Sequence, residues 1–204
     1  INDGAGLAVT TVTAAGAGAD VSLSTTTSGN ITLGVVTAPD VVTLTSAGAI
    51  TDTNAATNNI TAANLAMTAA TGIGSGDALE TGASSLSATN TTSGDIEVSN
   101  TGVLDITGIS NSGGGGVVVT NVGATTISGA VSAAGGTAAV SITASSPLLV
   151  IAPVTAPGDI TLEAVGSVLA GDNLTLAANV TSTGGNITLR AGDDINQTTG
   201  TVST

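Results

Sequence analysis

Ala170-Gly171-Asp172-Asn173-Leu174 returns, position for position, as Ala191-Gly192-Asp193-Asp194-Ile195. Between the two copies runs Asn186-Ile187-Thr188-Leu189-Arg190, a turn residue followed by apolar and polar residues in alternation. Such alternation puts every second side chain on one face of a strand. Val21-Ser22-Leu23, Ile31-Thr32-Leu33, Val42-Thr43-Leu44, Leu65-Ala66-Met67, Ile96-Glu97-Val98, Ile160-Thr161-Leu162 and Leu174-Thr175-Leu176 follow the same rule. Gly, Asn, Asp or Pro falls between them. These are strands of three to six residues punctuated by turns.

Working outward, the spacing of these segments is itself regular. Leu23, Leu44, Leu65 and Leu86 are evenly spaced, and Ile106, Ile127, Leu148 and Leu169 resume the same step. It is also the step between the two copies of the turn. A looser series reads Ile73, Ile96, Val117, Val140, Ile160, Val180 and Val202. A third reads Val131, Val154, Leu174 and Ile195. A period near 21 with about three short strands describes one coil of a solenoid. The expected fold is all-β: a single-stranded parallel β-solenoid, wound as a right-handed β-helix. Its 204 residues make about ten coils, and at about 4.8 Å per coil a rod of about 45–50 Å. Residues 1–204 read as one continuous solenoid segment, with the Gly/Ser-rich stretches 71–94 and 108–116 as loops bulging from its coils. The pattern runs nearly to both ends without a polar cap. The expectation is therefore a segment of a longer solenoid, or a unit whose partners are copies of itself stacked end to end.

Composition narrows the chemistry. The chain has no aromatic residue, no Cys, no His and no Lys, and Arg190 is its one basic side chain against 14 acids. Ser–His pairs, thiolates, Schiff bases and soft metal sites are excluded by residue type. The net charge of −13 and the missing aromatics argue against nucleic acid as a partner. Disordered chains are poor in branched aliphatics and rich in charge; this one is only 7% charged with mean hydropathy +0.51. The longest aliphatic run, Leu148 to Ala152, falls far short of the roughly 20 residues of a membrane span. The opening Ile1-Asn2-Asp3-Gly4 lacks the basic n-region of a signal peptide, and the chain reads as an excised or mature segment.

Gly158-Asp159-Ile160-Thr161-Leu162-Glu163-Ala164, Gly185-Asn186-Ile187-Thr188-Leu189 and Gly29-Asn30-Ile31-Thr32-Leu33 resemble the repeats of filamentous haemagglutinin-type exoproteins. These are large bacterial surface and secreted adhesins, including two-partner-secretion and autotransporter passengers. The resemblance is best over 156–195. It implies a right-handed parallel β-helix, an extracellular or bacterial cell-surface location, and a host-cell or surface ligand held by a tip outside this segment.

Few residues suggest a site. Asp172 and Asp193 would stand in adjacent coils about 5 Å apart, with Asn173 and Asp194 beside them. Asp172, Asp193 and Asp194 are thus candidate Ca²⁺ ligands, since a hard cation would relieve their repulsion. The competing account is turn chemistry, because Asx side chains cap tight turns. No other cofactor is expected. Asp95, Glu97 and Asp105 form the one mid-chain acid cluster, read as solvent-facing rather than as a glycosidase pair. Asn-x-Ser/Thr occurs at Asn30, Asn59, Asn90, Asn173, Asn179, Asn186 and Asn196, read as turns rather than glycan acceptors. Arg190 is expected to pair with a nearby acid. Thr-x-Thr pairs such as Thr43/Thr45 and Thr89/Thr91 would order water, as ice-binding solenoids do, if they recurred in every coil. One period on from Thr45 stands Ala66, and two periods on from Thr91 stands Ala133, so no ladder is expected.

The reading from sequence is a non-catalytic structural and adhesive shaft of a large bacterial surface protein. The alternatives are a self-assembling subunit of an extracellular filament, sheath or surface layer, and a Ca²⁺-dependent binding module.

Overall fold

The computed structural model describes residues 1–166 and 171–204. Leu169 of the first aliphatic series and Ala170 of the repeated turn lie outside the described residues. Among the described residues there is no helix, and every strand pairing is parallel. The chain winds as a β-solenoid of about nine turns, roughly 21 residues apart.

Each turn contributes to two faces. On the first, Leu7–Thr13 pairs with Ile31–Thr37, which pairs with Ile50–Asp52. Ile73 bridges Ile50 to Ile96. The ladder then runs through Ile96–Thr101, Val117–Val122, Val140–Ala144, Ile160–Ala164 and Ile187–Ala191. The second face stacks Val21–Thr25, Val41–Ser46, Ile60–Ala69, Leu79–Asn90 and Leu104–Asn111. A register shift between Ile106 and Gly108 bends the last of these strands, as bulges do. Beyond it the face divides into two narrow ladders. One carries Thr125–Ile127, Leu148–Val150, Leu174–Leu176 and Ile195–Gln197. The other carries Val131–Ala133, Val154–Ala156, Val180–Ser182 and Val202–Ser203.

The inward positions form the core. Leu33, Leu44, Ile142 and Leu162 are fully buried, and the strands alternate buried and half-buried residues as the sequence pattern requires. Burying each such side chain stabilises the fold by about 1.5–3 kcal/mol. Pairing continues unbroken through both Gly/Ser-rich stretches. The true bulges there are short, because Leu79–Asn90 is a strand of 12 residues that begins inside the stretch read as a loop. At the corners coils approach closely. Gly94, at φ +85°, lies where a Cβ would come within 2.6 Å of the Thr71 carbonyl oxygen.

Actual registers depart from a fixed period. Leu23 stacks on Leu44 and Leu65 on Leu86, but Leu44 meets Met67 rather than Leu65. Ile127 meets Val150 rather than Leu148. Ile160 meets Ile187, and Val154 meets Val180. After Ile160 the second sequence series passes into the column of Val131 and Val154, and after Val154 the third passes into the column of Leu148, because one coil is longer by five or six residues. Longer coils also explain why about nine turns, not ten, use up the chain. In the last turn the inward Ile195 and Val202 are 50% and 37% exposed, with no further coil above them among the 204 residues.

Candidate functional site

The acidic turn residues act as clamps between coils. Asp193 Oδ2 accepts the Asp172 backbone N–H at 3.1 Å and that of Gly171 as well. The Asn173 Oδ1 accepts the Asp194 N–H at 2.9 Å. Asp172 is buried, and its backbone carbonyl accepts N–H groups from Gly192 and Asp193. The structure therefore brings Asp172 and Asp193 together in neighbouring turns, and an Asp193 oxygen is engaged by backbone N–H groups. Among the described residues no three His, Cys, Asp or Glu side chains converge to hold a metal ion.

The same clamp recurs along the rod. Asp20, Asn30, Asp95, Asp159 and Asn179 each accept a backbone N–H from the following coil, at 3.1, 2.9, 2.7, 2.7 and 3.0 Å. Four of the seven Asn-x-Ser/Thr asparagines, Asn30, Asn59, Asn173 and Asn179, tie coils together in this way. Asn90 is buried like Asn59, and its Oδ1 accepts the Gly72 N–H. Asp95 and Glu97 are half-buried rather than open to solvent. Arg190 Nη1 lies 3.0 Å from Glu163 Oε1, on directly paired residues of adjacent strands.

Two internal amide ladders escaped the sequence reading. Asn90 Nδ2 donates to Asn111 Oδ1 at 3.0 Å, and Asn100 Nδ2 to Asn121 Oδ1 at 2.9 Å. Thr81 Oγ1 donates to Asn100 Oδ1 from below. Asn121 Nδ2 then reaches Thr125 Oγ1 and the Gly102, Gly123 and Ala124 carbonyls. Both pairs are spaced by the same step as the leucines of the first series, a signal open to any search that follows polar residues as well as aliphatic ones.

Near the first face, Asn59 Nδ2 donates to Asp52 Oδ1 at 2.5 Å. The Asp52 Oδ2 and Glu80 Oε2 are buried without a hydrogen-bond partner. Burial, reinforced by the Asp52 and Asp77 carboxylates and opposed by a backbone hydrogen bond, pushes the Glu80 carboxyl above its ordinary value.

The Thr-x-Thr pairs do not stack into a ladder, since Thr43 pairs with Ala66, but a single outward column of hydroxyls does persist. Ser24 pairs with Thr45, Thr45 with Thr68, and Thr68 with Thr89. Thr89 pairs with Ser110, and Ser110 with Ser132. Ser132 pairs with Thr155, Thr155 with Thr181, and Thr181 with Ser203. The steps are unequal: Ser24 to Thr45 is among the shortest, and Thr155 to Thr181 is the longest. A fixed period leaves the column at its second step and lands on Ala66, whereas the true neighbour of Thr45 is Thr68.

No protein-family model, no curated protein and no solved structure matches this chain.

Proposed function

We propose that this chain is a segment of the shaft of a large bacterial surface protein, extracellular and non-catalytic. Its work is mechanical: to hold a binding tip away from the cell. The observation that carries the reading is the parallel register linking every turn to the next from Asn2 to Ser203. A rod of this kind resists bending because each coil is tied to its neighbours by a row of backbone hydrogen bonds, side-chain clamps and an aliphatic core. Net charge −13 opposes clumping of the rods, as self-repulsion keeps proteins dispersed. The repeat motifs that resemble filamentous haemagglutinin-type exoproteins support the same assignment. Carboxylates engaged by backbone N–H groups, in a chain without His, Cys or Lys, support a structural role over a catalytic one.

Immunogold electron microscopy of intact producing cells, with antibody raised against this segment, tests the reading. Label scattered along projections from the cell surface is expected. Label confined to the cell interior overturns it.

A further inference from the structure

The hydroxyl column is continuous where the other outward columns are not. On the first face, Glu97 and Val118 interrupt the column that includes Ser141 and Thr161. On the second, Asp105 and Leu149 interrupt the column that includes Ser85 and Thr126. The hydroxyl column carries only Ser or Thr in nine successive turns, although the coils between them differ in length. Length variation is absorbed elsewhere in each coil, and the hydroxyl position is kept.

Three further observations bear on what this face meets. Among the described residues, the hydroxyl bond along the column is that of Ser203 to Thr181 at 3.4 Å, so the other seven hydroxyls are free to bind outward. The positions two residues earlier carry no charge in any turn, from Ser22 and Thr43 to Asn179 and Thr201. A neutral stripe thus runs the length of a strongly acidic rod. The backbone ladder spaces the strands that carry successive hydroxyls about 4.8 Å apart.

We infer that this face binds ice. A ligand for the column must be neutral, rich in hydrogen-bond donors and acceptors, and periodic along the rod axis. Water bridging neighbouring hydroxyls takes up the rod's own repeat, and a crystal of water extends that repeat indefinitely. Each bridging water is a weak contact whose immobilisation costs about 0–2 kcal/mol. A rigid scaffold makes the successive contacts effectively intramolecular, so that they act together. The scaffold is ordered before binding, which lowers the entropic cost. Threonine adds a methyl group whose direction its stiff χ1 fixes. A charged side chain in the stripe would orient water radially around itself and break the row. The inference does not depend on the shaft assignment, since it needs only the described face.

The test is thermal hysteresis and ice-recrystallisation inhibition by the purified 204-residue chain. Thr89→Lys and Ser132→Lys place a charge within the column, and Thr120→Lys places one at an exposed site on the first face. Circular dichroism melts of all three establish folding, and the two column variants give independent readings should one fail to fold. Wild type and Thr120→Lys are expected to arrest ice growth. The column variants are expected to fall to the level of serum albumin. Absence of activity in wild type, or equal loss in Thr120→Lys, overturns the inference. So does a column whose charge variants abolish only a sedimenting dimer, or only retention on crystalline cellulose, without any effect on ice.

Discussion

Asn121 shows what a single polar residue does inside this rod. Its amide satisfies the Thr125 hydroxyl and three backbone carbonyls while its oxygen accepts from Asn100. Asn121→Ala removes these bonds and leaves the buried Asn100 amide without its acceptor, at about 1–3 kcal/mol for an unsatisfied group. Urea denaturation followed by circular dichroism should show a loss of at least that size. Glu80 works in the opposite sense. Its raised value means that the folded state holds the proton more tightly than the unfolded chain does. That contribution is complete below the ordinary glutamate range, about 4.3, and is lost as pH rises through the folded-state value. Glu80→Gln keeps the size and removes the charge. Its melting temperature should exceed that of wild type at pH 7, and the difference should shrink as pH falls toward 4. A constant difference across that range would contradict the assignment.

At the level of the element, strands here are too short to stand alone and gain stability from the turns above and below. Leu44 is fully buried, with Leu23 on one side and Met67 on the other. Leu44→Ala should cost about 2–5 kcal/mol, measured by the shift in denaturation midpoint at constant slope. Corners obey a different constraint. A Cβ at Gly129 would run into the Thr107 carbonyl oxygen of the preceding coil. Gly129→Ala must therefore separate two coils or shift the corner. We expect it to lower the melting temperature more than Gly136→Ala, which has open space around it and incurs only the backbone strain of a positive φ of +54°.

Across the whole molecule, contacts link neighbouring turns, so stability spreads as in other one-dimensional repeat proteins. Interior turns have a neighbour on each side, while Ile195 and Val202 in the last turn are partly open. Amide hydrogen exchange should be slowest in the middle strands, such as Leu104–Asn111 and Val117–Val122, and fastest in Val202–Ser203. Uniform protection along the rod would mean a single cooperative unit instead. The neutral hydroxyl stripe also belongs to this scale, because no one coil contains it.

The fold class was legible in the sequence because strand alternation and coil length are local properties. Ile187-Thr188-Leu189 reads as a strand on sight, and the return of the Gly-Asp turn reads as a coil. An aliphatic chain without aromatics has few other ways to bury its surface. The neighbours of each residue were not legible. Register is the running sum of every coil's length, so one longer coil moves all later residues to new partners. That is why Leu44 meets Met67 and Thr45 meets Thr68. The buried amide ladders, the clamping role of Asp193 and the unbroken hydroxyl column all depend on those partners. Only the closed turns, in which backbone hydrogen bonds decide where each extra residue is accommodated, set them.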